Sequence, residues 1–134
     1  MATRNALILL TGRVQQLPAG DTLDLKGVIF SRGGTVLTPT GAINVIVWRA
    51  PFGCTVTNVR GYRVGGTGAT INARRNGASN HLAAAVSLAV ADTWTDGGAV
   101  QNTAYVAGDK LEIMLVTVTG SPTQVAVQVD YTRT

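Results

Sequence analysis

Along residues 107–134 apolar and polar side chains alternate with a period of two. Val125, Val127, Val129 and Tyr131 interleave with Gln124, Ala126, Gln128 and Asp130. Upstream, Leu111, Ile113 and Leu115 interleave with Lys110, Glu112 and Met114, again the pattern of a strand with one buried face. The link TGSPT over 119–123 carries turn chemistry and predicts that the two strands form a hairpin. The Val125–Tyr131 face belongs in the core. The opposite face is small and nearly neutral, which suits a subunit contact.

The same periodicity continues upstream. Ile43–Arg49 is apolar on both faces and predicts a central strand. Cys54–Val64 predicts a long strand whose alternation slips between Val56 and Val59, the mark of a bulge. Gly65–Gly68 is a flexible loop. Ala69, Ile71 and Ala73 face inward against Thr70, Asn72 and Arg74, and Asn76-Gly77 is the dipeptide favoured in type I′ turns. The segment HLAAAVSLAVA over 81–91 fits two templates: Leu82, Ala85, Val86, Ala89 and Val90 make a helical stripe, whereas Leu82, Ala84, Val86, Leu88 and Val90 alternate as a strand. Its β-rich surroundings favour the strand. Residues 92–98 read as a loop around Trp94, and Val100–Val106 as a short strand. The chain is thus expected to be all-β, a jelly-roll-like β-sandwich of about eight strands.

Residues 1–40 differ from this body. Short extended pieces are separated by Thr11-Gly12, Pro18-Ala19-Gly20-Asp21 and Ser31-Arg32-Gly33-Gly34, and none has the mass to bury its own apolar side chains. They predict an extended N-terminal arm over 1–40, with TPTGA at 38–42 marking the boundary to a body over 41–134.

Composition adds one constraint. Hydrophobic residues make up 46% of the 134 and charged residues only 13%, about half the usual share of a soluble domain. Such a chain is expected to cover part of its exterior with other protein. The single cysteine, Cys54, excludes an intrachain disulfide and reads as a small buried residue on a strand. Ala6–Leu10 is too short for a secretory signal, and no apolar run approaches the roughly 18 residues of a membrane span.

Charge adds another. No acidic residue lies between Asp24 and Asp92, an interval that holds Lys26, Arg32, Arg49, Arg60, Arg63, Arg74 and Arg75. These cations form either a basic face for an acidic partner or a set of separately solvated strand faces.

Catalytic chemistry is poorly represented. His81, the only histidine, reads as a loop or strand-edge residue, and Ser79 and Ser87 lack a nucleophile elbow. The carboxylates sit mostly at turn positions. Asp92 and Asp96 lack the spacing of a calcium loop, and Gly65–Gly68 lacks the lysine and helix of a phosphate loop. Arg60, Arg63, Arg74 and Arg75 around Tyr62 sketch a single-strand platform, but with few aromatics to support it. Trp48 and Trp94 are either core and interface residues or sugar-stacking platforms. No enzyme activity and no cofactor are expected.

The arm GRVQQLPAGDTLDL over 12–25, followed by a β body ending in GDKLEIMLVTVTGSPTQVAVQVDYTR, resembles small virion surface proteins of tailed bacteriophages. The resemblance implies a virion component, folded in the host cytoplasm and assembled as a homodimer or homotrimer. It allows two placements. A capsid decoration (cement) protein would bind the major capsid protein and its sister subunits and stabilise the capsid surface. A tail-fibre or receptor-binding domain would instead recognise a cell-surface glycan. Decoration is favoured because the chain is short and has no fibre-forming repeat. The contact residues expected on this reading are Arg4, Leu7, Leu9, Arg13, Leu17, Leu23 and Leu25 in the arm and Arg60, Arg63, Arg74 and Arg75 in the body. No nucleic acid or membrane partner is expected.

Overall fold

A computed structural model describes residues 27–134 and Leu25, together with the backbone of 7–10 and 13–16. The described residues contain strands and turns and no helix. Leu7–Leu10 (β1) and Arg13–Gln16 (β2) pair antiparallel as a two-stranded sheet of their own, Leu7 opposite Gln16 and Leu10 opposite Arg13. The body is built from β3 (Ile29–Leu37), β4 (Ile43–Arg49), β5 (Cys54–Val64), β6 (Gly68–Arg75), β7 (Ser79–Asn80), β8 (Val86–Ser87), β9 (Thr95–Asp96), β10 (Ala104–Tyr105), β11 (Lys110–Thr119) and β12 (Gln124–Arg133).

Two antiparallel five-stranded sheets face each other across the core. The first runs β3-β12-β5, with β9 and β10 sharing the far edge of β5. The second runs β4-β11-β6, with β7 and β8 sharing the far edge of β6. Each sheet therefore has three long strands and a broken fourth, and the chain changes sheet at every step from β3 to β6 and again from β11 to β12, while β6 and β11 are neighbours in the second sheet. This is the double-sheet jelly-roll order expected from the sequence.

The closing hairpin does not exist as a hairpin. β11 pairs with β4 and β6, and β12 pairs with β3 and β5, so 119–123 is an arch between the sheets. The reason lies in the two apolar faces. Pairing β11 with β12 would set both faces on one side of one sheet. In the arch, Leu111, Ile113 and Leu115 meet Val125, Val127, Val129 and Tyr131 across the interior, all buried. Each such side chain removed from water contributes about 1.5–3 kcal/mol. Three links, 38–42, 65–67 and 119–123, meet at this end and tie together: Thr38 N donates to Thr123 O, Thr67 N to Thr119 O, and Thr123 N to Val64 O.

The boundary at 40/41 also moves. β3 pairs with β12 along its whole length, from Ile29 opposite Thr132 to Leu37 opposite Gln124, so 29–37 belongs to the body and 38–42 is an arch within it. The breakers Ser31-Arg32-Gly33-Gly34 concealed this strand. Phe30 stacks on Tyr131 at 5.7 Å, Arg32 lies over Trp48, and a Cβ on Gly34 would press on Val47 and Ile113. β4, expected at the centre of a sheet, is instead an edge strand that among the described residues pairs only with β11. Its second apolar face stays outside, and Ile46 is 57% exposed.

Elsewhere the local signals hold. β5 bulges at Thr57, since Asp130 pairs with Asn58 and Tyr131 with Val56. Asn76 and Gly77 both take positive φ, 54° and 75°, as the turn residues require. Within 81–91 only Val86–Ser87 is strand, while Leu82 and Leu88 bury their side chains from irregular backbone. Val100–Val106 narrows to β10. Cys54 is buried at the start of β5, and burial raises its thiol pKa.

Candidate interaction surface

Three arginines of the acid-free interval are neutralised in space. Carboxylates from the second half of the chain fold back onto them. On the outer face of the first sheet, Arg60 Nη2 donates to Asp130 Oδ2 at 2.8 Å, and its Nε lies 3.3 Å from Asp96 Oδ1. Ser31 Oγ and Gln128 Nε2 donate to Asp130 Oδ1 at 2.5 and 2.8 Å. On the second sheet Arg74 Nε donates to Glu112 Oε2 at 2.8 Å, and the two residues are cross-strand partners in the register. Arg75 donates to the Ala104 carbonyl, lies 4.0 Å from Asp109, and covers the Tyr105 ring.

Arg63 has a different role. It is 2% exposed and has no carboxylate partner among the described residues. Its guanidinium donates to four backbone carbonyls: Leu88 at 2.8 Å, Ala89 at 2.9 Å, Gly66 at 2.8 Å, and Gly65. The charge locks the 65–66 turn to the 88–89 segment. This corrects two expectations, a contact role for Arg63 and a freely flexible loop at Gly65–Gly68. Arg60, Arg63, Arg74 and Arg75 do not share a face, because β5 and β6 lie in opposite sheets, and so they make no common platform around Tyr62.

In the arm, Leu7, Leu9 and Arg13 are placed by the β1–β2 register, opposite Gln16, Val14 and Leu10. Leu25 is partly buried and accepts from Val28 N at 3.2 Å. Arg4, Leu17 and Leu23 lie outside the described residues.

His81 is fully buried. Its backbone N donates to Ala73 O, and its ring bridges Gln101 O at 3.2 Å (Nδ1) and Tyr105 Oη at 2.8 Å (Nε2). A carbonyl can only accept, so Nδ1 carries the proton and Nε2 accepts from the tyrosine hydroxyl. Burial lowers the His81 pKa and Arg75 adds to this, against the opposing Gln101 hydrogen bond. Burial raises that of Tyr105. Neither nitrogen is free to act on a substrate. Beside it, Asn72 Oδ1 accepts from Leu82 N and Ala73 N while its Nδ2 donates to Leu82 O, pinning the irregular 81–82 backbone to β6.

Two exposed features remain. The first is apolar: Ile29 and Leu37 on the β3 edge, 67% and 68% exposed, and Ile43 and Ile46 on the β4 edge. Among the described residues β3 and β4 have no partner along their outer sides, and the 38–42 arch joins them. Unpaired edges carrying apolar side chains are templates for contact with another chain. The sequence hid them because Ile29–Leu37 read as arm and Ile43–Arg49 as interior.

The second is an open groove of about 310 Å³ on the outer face of the first sheet. Register places Thr35, Ala126 and Tyr62 in one cross-strand row and Gly33, Gln128 and Arg60 in the next. Trp94, 48% exposed, leans into the groove with its ring 5.3 Å from Tyr62 at 51°. The sequence marked Trp94 and, separately, Tyr62 and Arg60, but not that they meet, since the groove draws its residues from three strands.

No protein-family model matches the chain, and no curated protein matches it. Among solved structures, it is similar to a chain of the Cyanophage Pam1 capsid asymmetric unit. The two share 21% identity over 90% of this chain and 95% of that one, with a TM-score of 0.51. At this identity the likeness is one of fold.

Proposed function

We propose that the protein is a bacteriophage virion structural component that binds the capsid surface and stabilises it as a decoration (cement) protein. The observation that carries this reading is the fold likeness, nearly full-length on both sides, to a chain from a phage capsid asymmetric unit. The outer β3 and β4 edges support it by offering apolar contact to the major capsid protein and to sister subunits of a homodimer or homotrimer. Since Arg60, Arg74 and Arg75 are engaged within the fold, the grip on the capsid falls to these edges and to the N-terminal segment with Arg4, Leu7, Leu9, Arg13, Leu17, Leu23 and Leu25. The role requires no catalysis and no cofactor, and its setting is the capsid surface after folding in the host cytoplasm.

Co-sedimentation with stripped, expanded capsids from the same source tests the reading. Binding is expected, and it weakens on Arg4→Glu with Arg13→Glu or on deletion of residues 1–25. Absence of binding by the full chain refutes decoration. Unchanged affinity in both variants refutes anchoring by the arm alone. A tail-fibre or receptor-binding placement draws on one observation, the half-exposed Trp94 in its groove.

A further inference from the structure

We propose that the Trp94 groove is a saccharide subsite that takes a pyranose ring, stacked by its C–H face on the indole. The inference deepens the glycan side of the receptor-binding placement but rests on the groove itself, and it holds for a decoration protein as well.

The floor of the groove is made of missing side chains. Gly33 cannot carry one, because a Cβ there would collide with the Val127 carbonyl oxygen, and Ala126 adds a single methyl. This leaves an open depression of about 310 Å³ beside Trp94. Trp94, buttressed by Tyr62, supplies an aromatic face whose negative π cloud attracts the polarised C–H groups of a sugar.

The polar groups are held in advance. Gln128 Nε2 donates to Asp130 Oδ1 at 2.8 Å and to Ser31 Oγ at 3.2 Å, which orients the amide. Neither its Oε1 nor the Thr35 hydroxyl has a hydrogen-bond partner among the described residues. One apolar stacking wall with a few fixed hydrogen-bonding groups is the make-up of a small-molecule site.

Charge separates this ligand from others that stack. A nucleic acid base would also fit against Trp94, but strand binding needs a track of free cations. Arg60 is committed to Asp130 and Asp96, and Arg32 lies over Trp48 with its Nη1 on the Ser31 carbonyl. A neutral, hydroxyl-rich ring meets the groove's chemistry without requiring them.

Saturation-transfer difference NMR on the full chain tests this, with methyl glucoside, methyl galactoside, methyl mannoside, N-acetylglucosamine and N-acetylneuraminic acid as probes, alongside a glycan array. At least one pyranose is expected to bind. Trp94→Ala should weaken it roughly tenfold through loss of the stack. Ala126→Val, which fills the floor with a residue suited to a strand, should do the same. Thermal unfolding of each variant verifies that the fold is retained. The inference is overturned if no probe or array glycan binds up to about 10 mM, or if binding survives both substitutions. A signal from oligonucleotides alone also overturns it. Trp94→Ala should leave co-sedimentation with capsids unchanged, so failure here and failure of decoration are read separately.

Discussion

Asp130 Oδ2 on β12 accepts a 2.8 Å charge-assisted hydrogen bond from Arg60 Nη2 on β5, joining two residues seventy positions apart. The second carboxylate oxygen accepts from Ser31 on β3 and from Gln128. One buried carboxylate thus ties the three long strands of a sheet on its outer face. Asp130→Ala leaves the Ser31 hydroxyl and Arg60 without their acceptor and should destabilise the fold by about 2 kcal/mol. Asp130→Asn, which can still accept, should cost about half of that. Urea unfolding midpoints at constant slope measure both.

His81 predicts a pH dependence with a definite sign. Burial holds the folded pKa below the ordinary histidine value of 6.5, so between the two values the unfolded chain binds a proton that the folded chain refuses. Stability is therefore complete above about pH 6.5 and declines as the pH falls from there through the folded value. The chain has a single histidine, so unfolding free energies at pH 7.5 and 5 should differ in the wild type and converge in His81→Leu. Tyr105→Phe removes the donor to Nε2 and should cost about 1–2 kcal/mol at pH 7.5. A wild-type protein equally stable at both pH values would refute the buried neutral imidazole.

Arg63 is a fastener between loops. Its removal leaves the carbonyls of Leu88, Ala89, Gly65 and Gly66 without their donors, so Arg63→Leu should destabilise by about 3 kcal/mol or more. Arg63→Lys should rescue little, because an ammonium cannot reproduce the planar fork. Hydrogen exchange at Leu88 and Asp92, whose amides donate to Ala69 O and Arg63 O, should accelerate in both variants.

The exposed edges make the fourth prediction. Leu37→Lys and Ile46→Lys place charges on the outer sides of β3 and β4. Away from the core, each should change monomer stability by no more than about 0.5 kcal/mol. Both should lower the solution mass measured by sedimentation and weaken capsid binding. If mass and binding persist in the double variant, the edges are not the contact surface.

Much of the fold was legible from local pattern. Period-two alternation identified β5, β6, β11 and β12, the slip at Val56–Val59 located the bulge at Thr57, and Asn76-Gly77 located its turn. These features depend only on which face of the chain is apolar and which residues tolerate positive φ, both of which are properties of neighbouring residues. Short irregular segments such as 81–91 were not legible, because Leu82 and Leu88 are buried by side-chain contact and not by strand pairing.

Partner choice is a different kind of information. The alternation of β11 and β12 states that each has a buried face, but it is equally satisfied by a hairpin and by an arch. Only the assembled sandwich, where each strand finds two long neighbours and the apolar faces meet across the interior, selects the arch. The same holds for charge. The sequence alone determined that 25–91 carries cations and no carboxylates, while the tertiary structure decided that Asp96, Asp109, Glu112 and Asp130 return to meet three of them. Pairing energy depends on distance in space, and strand order sets that distance. The groove beside Trp94 exists for the same reason: Gly33, Ala126 and Tyr62 become neighbours only when β3, β12 and β5 lie side by side.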